Sequence, residues 1–301
     1  MKVTYFKYWI LHKENRYRFS ILPLLKAFAN YNNPEFKKLF TSKSDENLFL
    51  FPVKNKIFLF TIVKDNEIVK AINANDLSHE DIHKRLSDDE QLGFASYLYI
   101  DDHYYGIAST FFGPKNTYWT DFVNDLFQKL NIHGCWLESA PFPVEASRNE
   151  ALQLDFKGST YIEINNQNTI WTQLKSLLCI DNDVNTISLS FKPQRRKEMR
   201  VSVDNIINNL EDTGLQKYII KGKKTIEDSL TDFYIVGSGH ISDSIIAKEE
   251  TEICHALLDK IKRNTLLSNS LEAFKNDTAY LTTSFDAITI YHDPDDWDLF
   301  L

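Results

Sequence analysis

The segment K-P-Q-R-R-K-E-M-R-V-S-V-D-N-I-I-N-N-L, residues 192–210, is followed after five residues by Q-K-Y-I-I-K-G-K-K, residues 216–224. The first part repeats apolar residues at spacings of three and four, which predicts a helix over residues 195–210 with one buried face. The second part alternates apolar and basic residues, which predicts a strand. The predicted apolar stripe of the helix is Met199, Val203, Ile206 and Leu210. Together the two patterns indicate a fold that combines helices with a sheet.

This segment is strongly basic in an acidic chain. Residues 192–224 hold nine Lys or Arg against four acids, a net charge of +5, whereas the whole chain has a formal net charge of −8. Arg195, Arg196 and Lys197 fall in the first turn of the predicted helix, where the helix dipole favours acids, and a bound phosphate would relieve their repulsion. The candidate DNA-binding residues are Lys192, Arg195, Arg196, Lys197, Arg200, Lys217, Lys221, Lys223 and Lys224.

The pattern of charge predicts contacts to the DNA backbone, and therefore binding without sequence preference and with a steep dependence on salt. Lys217, Lys221 and Lys223 share one face of the predicted strand. The alternative is that the basic face is merely solvated, or belongs to a protein-interaction module that binds an acidic partner.

Length and composition are those of a globular protein. The chain has 301 residues, of which 43% are hydrophobic, and Gly and Pro are scarce. Its start lacks the apolar core and cleavage site of a signal peptide, and no apolar run is long enough to span a bilayer. Cys135, Cys179 and Cys254 lie far apart, which fits neither a disulfide framework nor a zinc site. We expect a cytoplasmic protein with one large domain or two ordinary ones.

The remaining sequence predicts mostly antiparallel sheet with helices segregated between the strands, which is the α+β class. Alternating apolar runs separated by turn residues predict β-hairpins over residues 48–63 and 94–110. Further strands are predicted over residues 2–10, 156–164, 186–191 and 230–236. Helical spacing and caps predict helices over residues 78–86, 117–130, 169–179 and 245–267.

One short motif suggests metal chemistry. His79-Glu80-Asp81-Ile82-His83 spells H-E-x-x-H, which on a buried helix would aim two imidazoles at one zinc ion. The charged flanks are typical of a surface helix instead, and no third ligand is recognisable. We therefore expect no metal, no cofactor, no small-molecule substrate and no enzymatic activity, and a zinc hydrolase using His79 and His83 is a rival interpretation.

The C-terminal end is acidic. Residues 270–301 contain seven acids and one base. The final D-P-D-D-W-D-L-F-L, residues 293–301, resembles the acidic, aromatic-ended tip of single-strand DNA-binding proteins. One hypothesis is that this tail folds over the basic segment when DNA is absent, so that its deletion tightens DNA binding. The alternative is that it only keeps the protein soluble.

A resemblance to a known family rests on several stretches. I-F-L-F-T at 57–61, E-D-I at 80–82, L-S-D-D-E-Q-L-G-F-A-S-Y-L-Y-I at 86–100, and Y-G-I-A-S-T-F-F-G-P-K at 105–115 with T-D-F at 120–122 resemble the RexA family of phage-exclusion proteins. Weaker similarity continues through D-S-L-T at 228–231 and G-H-I-S at 239–242. None of these stretches is catalytic.

The resemblance implies a cytoplasmic homodimer of a prophage that binds DNA without sequence preference. It implies superinfection exclusion together with a RexB-type membrane protein, and an influence on the lysogeny–lysis decision. It also implies two domains in an architecture similar to the recombination-associated protein RdgC. By this analogy residues 1–150 plus 238–301 form a globular α+β domain with the C-terminal helix and acidic tail. Residues 151–237 form the dimerisation and DNA-contacting domain.

Overall fold

The computed structural model describes residues 1–64, 70–72, 79–81, 92–179, 183–195, 197–226, 228, 230–237, 239–282 and 286–299. Contacts between Cα atoms divide the chain into two compact units. Unit 1 contains Met1–Ala140, Ser244–Leu258 and Leu271–Leu301, and unit 2 contains Pro141–Asp243 and Asp259–Ser270. The prediction that residues 151–237 form a domain for dimerisation and DNA contact stays a prediction.

The described residues form both strands and helices. The strands are β1 (Lys2–His12), β2 (Asn15–Tyr17), β3 (Leu48–Lys54), β4 (Ile57–Val63), β5 (Lys70–Ile72), β6 (His79–Asp81), β7 (Gly93–Ile100), β8 (Tyr104–Ser109), β9 (Cys135–Pro141), β10 (Phe156–Asn165), β11 (Thr186–Phe191), β12 (Leu215–Lys223), β13 (Thr231–Val236) and β14 (Ser242–Ser244). The helices are α1 (Leu22–Asn30), α2 (Pro34–Lys37), α3 (Asn116–Lys129), α4 (Arg148–Leu152), α5 (Thr169–Leu178), α6 (Arg200–Asn209), α7 (Glu250–Arg263), α8 (Thr265–Asn276), α9 (Asp286–Thr289) and a 3-10 helix (Pro294–Leu299). The α+β class with antiparallel sheets is confirmed.

The large sheet has the strand order β14-β1-β8-β7-β4-β3, and β2 and β9 also pair with β1. Both predicted hairpins are confirmed: in β3–β4 Leu50 lies opposite Phe60, and in β7–β8 Leu98 lies opposite Ile107. Since side chains alternate across a strand, these four residues point to the same face, where all are buried in the core of unit 1.

Aromatic side chains dominate that core. Helix α3 buries Trp119 and Phe122 from positions three residues apart, as its predicted apolar face requires. The ring of Phe122 lies 4.7 Å from that of Phe40 and 5.6 Å from that of Phe28. Edge-to-face and tilted contacts of this kind add to the free energy gained from burial alone. Unit 1 is therefore stabilised mainly by the packing of large apolar groups.

Unit 2 is built on a four-stranded antiparallel sheet with the order β11-β10-β12-β13. Strands β10 and β12 are its central pair, and Ile162 of β10 lies opposite Tyr218 of β12. Both side chains are buried, as is Val203 of α6. The predicted strand over residues 186–191 is confirmed as β11.

The predicted long helix over residues 245–267 is wrong, because the chain forms two helices with a break at Asn264. The Oδ1 atom of Asn264 accepts a hydrogen bond from the backbone N–H of Leu267 at 2.9 Å, and its Nδ2 donates to Asp243 at 2.8 Å. Asparagine at this position satisfies an N–H group that the first turn of a new helix leaves unpaired. No helix in the described ranges is long and apolar enough to cross a membrane.

Candidate nucleic-acid interface

Strand β12 carries the basic residues of the second part of the segment. Tyr218, Ile220 and Gly222 are buried, whereas the side chains between them are only partly buried. This alternation confirms that Lys217, Lys221 and Lys223 share one face of the sheet. Tyr218 is a core residue that is fully buried.

Each of these three lysines has a neighbour on the sheet or in the following turn. The Nζ atom of Lys217 lies 5.9 Å from the ring centroid of Tyr161 and 5.8 Å from that of Tyr234. The Nζ atom of Lys221 lies 3.7 Å from the carboxylate of Asp232. Cation–π contacts and exposed ion pairs are worth about 1 kcal/mol or less each, so these ammonium groups can exchange such neighbours for phosphates at low cost.

Lys223 and Lys224 lie where β12 ends. The Nζ atom of Lys223 donates a hydrogen bond to the backbone carbonyl of Ile226 at 2.9 Å. Lys224 lines a cleft of unit 2 together with Asp228 and Arg263. The pKa of Glu150 is lowered, first by the backbone N–H and the hydroxyl of Ser147, and further by the charge of Lys224. The cleft therefore holds both basic and acidic groups.

The first part of the segment differs from its prediction. Helix α6 begins at Arg200, five residues later than predicted, so Arg195 and Lys197 lie in the preceding loop and not in a helical first turn. Arg196 lies outside the described residues. The helix begins late because the backbone of Met199 is held by the sheet: its N–H donates to the carbonyl of Lys157 at 2.7 Å. A helix beginning at Arg195 would need this N–H to donate to the carbonyl of residue 195 instead.

Helix α6 also buries a different set of side chains from the predicted stripe. Val203, Ile207 and Leu210 are buried, with spacings of four and three, whereas Ile206 is only partly buried. Lys192, Arg195 and Lys197 are exposed to solvent in the loop. The expectation that a helix N-terminus and three basic side chains converge on one phosphate is therefore wrong for the described residues.

Arg200 has a structural contact as well as an exposed charge. One of its guanidinium nitrogens donates a hydrogen bond to the carbonyl of Asp155, and Nε lies 3.6 Å from Glu198. Its side chain is 45% exposed. The arginine thus fixes the beginning of α6 next to the start of β10 while part of its guanidinium faces solvent.

Lys157 is a basic residue that sequence reasoning missed. Its side chain is completely buried, its Nζ donates to the carbonyl of Leu152 at 2.7 Å, and it forms an ion pair with Asp204 of α6. A buried ion pair costs desolvation, but removing one partner leaves an uncompensated charge. Lys157 therefore attaches α6 to the sheet. The sequence of β10, F-K-G-S-T-Y-I-E-I-N, contains other polar residues and gives no signal that this lysine is buried.

Arg148 in α4 was also missed. Its guanidinium donates hydrogen bonds to the carbonyls of Ile207 and Leu210, and lies 2.5 Å from the carboxylate of Asp212. These carbonyls belong to the C-terminal turn of α6, whose last carbonyl groups have no partner within the helix. Arg148 and Lys157 thus fix α6 from both of its ends.

The loop that carries Lys192, Arg195 and Lys197 is connected to strand β12 through β10. Thr160 of β10 lies opposite Phe191 of β11 on one side and opposite Ile220 of β12 on the other. Because neighbouring strands are about 4.8 Å apart, the end of β11 lies about 10 Å from β12 at this register. The loop that carries Lys192 starts at that point, so the sheet brings the two halves of the basic segment to the same region of unit 2.

The described residues do not form the helix that the predicted zinc motif requires. His79 and Glu80 lie in β6, which pairs with β5, so the predicted helix is wrong for the described residues 79–81. His83 and the rest of that predicted helix lie outside them. Two histidines four residues apart face one ion only on a helix. Within the described ranges, no group of three or more His, Cys, Asp or Glu side chains could hold a metal ion.

The acidic tail is not a free tip. Trp297 is completely buried in unit 1, its ring lies 5.2 Å from that of Tyr31, and its indole N–H donates to the carbonyl of Tyr291 at 3.0 Å. Asp293 and Asp295 remain exposed beside it. Trp297 is therefore a core residue of unit 1, since burying an indole outweighs the tendency of the flanking acids to stay solvated. The hypothesis that the tail folds over the basic segment stays a prediction.

Comparison with known proteins identifies the family of this chain. A profile of the RexA family, described as an intracellular sensor of lambda phage and Abi component, matches residues 1–230. The rexA proteins of Escherichia phage lambda and Enterobacteria phage 434 are each 26% identical over 232 residues, which cover 76% of this chain and 82% of each relative. Because the family profile matches well over half of the sequence, the chain belongs to the RexA family.

Proposed function

We propose that this protein is a homodimer that binds DNA without sequence preference and acts, as a prophage protein without enzymatic activity, in the exclusion of superinfecting phages. The observation that carries the proposal is the row of Lys217, Lys221 and Lys223 on one accessible face of β12. The description of the family as an intracellular sensor and Abi component supports the exclusion role.

The geometry of this row suits the DNA backbone. Residues two apart on a strand are about 7 Å apart, so Lys221 and Lys223 can reach different phosphates. Lys221 and Asp232 are 44% and 50% exposed, so their ion pair is worth little and can be exchanged for a phosphate contact. The exposed Lys192, Arg195 and Lys197 extend the basic area beyond the sheet. Such contacts carry no information about base sequence.

Fluorescence anisotropy of a random-sequence duplex tests the DNA part of the proposal. With six or more phosphate contacts, affinity should fall about a thousandfold between 50 and 200 mM salt. The Lys221→Glu/Lys223→Glu variant should bind at least about tenfold more weakly at the lower salt and show a shallower salt slope, because two phosphate contacts are replaced by repulsion.

A matched variant separates the local effect from the change in total charge. Lys13→Glu/Lys38→Glu alters two exposed lysines of unit 1 by the same charge. It should leave most of the affinity intact. If both double variants weaken binding equally, or if the unaltered protein does not bind the duplex, the basic face serves another purpose. Salt-sensitive binding of an acidic protein partner would then favour the protein-interaction alternative.

Strand β11 supports the homodimer. It is one of the two outer strands of the four-stranded sheet, and its sequence T-I-S-L-S-F contains neither charge nor proline. Such an edge strand can pair with a second copy of itself around a two-fold axis. Leu177 and Leu178 at the end of α5 are 76% and 62% exposed, which adds apolar surface to unit 2.

Sedimentation equilibrium tests this interface. Thr186→Lys/Ser190→Lys places two charges on the edge strand and should convert a dimer into a monomer, since edge lysines prevent strand pairing. Ser202→Lys/Asn205→Lys adds the same charge to exposed positions of α6 and should leave the dimer intact. A dimer that withstands the first pair of substitutions forms through another surface.

The biological role is tested in a lysogen. Plating of superinfecting phages should rise when the Lys221→Glu/Lys223→Glu variant replaces the unaltered protein at equal abundance, if DNA binding is needed for exclusion. We also propose that a RexB-type membrane protein is the partner in exclusion. We further propose that the protein influences the lysogeny–lysis decision. The same assay with and without such a protein measures whether it is required. Superposition of an experimental structure of this protein on RdgC would test the proposed two-domain, RdgC-like architecture.

A further inference from the structure

A cavity of about 290 Å³ lies in unit 1 beside the turn that joins β3 to β4. It is separate from the proposed DNA interface, since none of the candidate DNA-binding residues lines it. Its lining combines apolar side chains with ammonium groups and includes Lys26, Lys54, Lys56, Ile57, Tyr99 and Leu258. This volume lies just below the range found for small-molecule sites, which is roughly 300–1,000 Å³, so the site suits only a small ligand.

The apolar part of the lining comes from three different elements. Ile57 of β4 is 1% exposed and Tyr99 of β7 is 8% exposed, so both are fixed by the packing of unit 1. Leu258 of α7 is 37% exposed and contributes an aliphatic wall. The ring of Tyr99 and the side chain of Leu258 form the accessible apolar surface, and Ile57 supports the ring from within the core.

The charged part of the lining has an excess of positive charge. Lys56 is neutralised by Asp101, whose Oδ1 atom lies 2.6 Å from its Nζ. Lys26 and Lys54 are exposed, and among the described residues no carboxylate lies within ion-pair distance of either. Two ammonium groups without an acidic partner at the rim of one cavity attract an anion, and a phosphate monoester carries nearly two negative charges near neutral pH.

Asp101 also holds the cavity wall in place. Its second carboxylate oxygen accepts a hydrogen bond from the hydroxyl of Tyr99 at 2.9 Å. Burial would raise the pKa of Asp101, but hydrogen bonds from Lys56, the backbone of Asp102 and Tyr99 outweigh it and lower the pKa. Burial and the bond to Asp101 raise the pKa of Tyr99 to about 12, so it remains a neutral donor. The tyrosine ring is thus positioned before any ligand arrives.

We propose that this cavity binds a small phosphorylated molecule with a flat apolar ring, the chemistry of a mononucleotide, with the ring against Tyr99 and Leu258 and the phosphate between Lys26 and Lys54. The same chemistry is available from a free mononucleotide and from the terminal nucleotide of a DNA strand. A cavity of about 290 Å³ is too small to enclose a duplex.

Isothermal titration calorimetry of the full chain with dAMP, deoxyadenosine and inorganic phosphate tests the site. We expect dAMP to bind, and deoxyadenosine and phosphate each to bind at least about tenfold more weakly, because each makes only half of the contacts. Lys26→Gln/Lys54→Gln should weaken dAMP binding about tenfold or more. Leu258→Ser should weaken dAMP but not phosphate. Lys13→Gln/Lys38→Gln is the matched control and should change neither.

A 5′-phosphorylated strand of about ten nucleotides distinguishes the two sources. It is titrated into Lys221→Glu/Lys223→Glu, so that the proposed DNA interface of unit 2 does not contribute. Binding of the strand but not of dAMP, lost in Lys26→Gln/Lys54→Gln, identifies a DNA end as the ligand. Binding of dAMP identifies a free nucleotide. The proposal is overturned if neither ligand depends on Lys26 and Lys54, or if inorganic phosphate binds as tightly as dAMP.

Discussion

Units 1 and 2 bury different kinds of side chain. The core of unit 1 is a cluster of aromatic and aliphatic groups, and its buried polar side chains in the described part of the chain are serines. The corresponding buried polar groups of unit 2 are Lys157, Thr160, Asn168 and Asp243. Apolar packing depends on volume and tolerates exchange of similar groups, whereas a buried charge requires its particular partner. We therefore expect substitutions in the two units to lower the stability of the protein for different reasons.

The largest expected effect is in unit 1. Trp297→Ala should lower the free energy of unfolding by about 3–5 kcal/mol, because it leaves a cavity among Phe28, Tyr31 and Phe36. Urea unfolding measures it. Trp136→Ala removes an indole that is 46% exposed and should cost much less. A small effect at Trp297 would mean that the end of the chain is not part of the core.

Unit 2 should respond most to the loss of Lys157. Lys157→Met should cost about 3 kcal/mol, since it leaves Asp204 without its buried partner while the aliphatic volume is retained. In urea unfolding, Lys157→Met/Asp204→Leu should recover much of that loss, which a purely volumetric role could not explain. Lys197→Met, in the exposed loop, is the control and should change stability by less than about 0.5 kcal/mol.

The break between α7 and α8 should be less costly to alter. Asn264→Ala removes the cap on the N–H of Leu267 and the hydrogen bond to Asp243, with an expected cost of about 1–2 kcal/mol. Thermal unfolding monitored by circular dichroism measures it. Asn205→Ala, at an exposed position of α6, is the matched control. Equal effects of the two substitutions would contradict the capping role.

The smallest expected effect is the pH dependence contributed by Asp101 in unit 1. Its folded-state pKa is lowered, so it contributes stability that is present above its unfolded pKa of about 4 and is lost as the pH falls through the folded value. Asp101→Asn should therefore be less stable than the unaltered protein at pH 7, and the difference should shrink below about pH 4. A difference that stays constant with pH would show that the carboxylate's charge has no part.

Features governed by neighbouring residues could be predicted from the sequence. The hairpins β3–β4 and β7–β8, the helix α3 and the strand β11 all follow from local periodicity and turn residues. The start of α6 could not be predicted, because it depends on the hydrogen bond between Met199 and Lys157. The break at Asn264 depends in the same way on a contact to Asp243.

The candidate site was predictable in part. The face shared by Lys217, Lys221 and Lys223 follows from the two-residue period of a strand. The burial of Lys157 does not, because a β-bulge between Lys157 and Thr160 shifts the register of β10 against β12. A bulge is set by the pairing of two strands, and a single strand's pattern does not reveal it.

The sequence alone determined the α+β class, the position of the basic segment and the resemblance to the RexA family, because composition and local periodicity carry that information. Only the tertiary structure decided which charges face solvent and which are buried. Lys221 remains accessible, whereas Lys157 is buried and forms an ion pair with Asp204, a residue 47 positions away. Trp297, between acids in the sequence, became a core residue for the same reason: burial depends on contacts between distant parts of the chain, which local patterns do not specify.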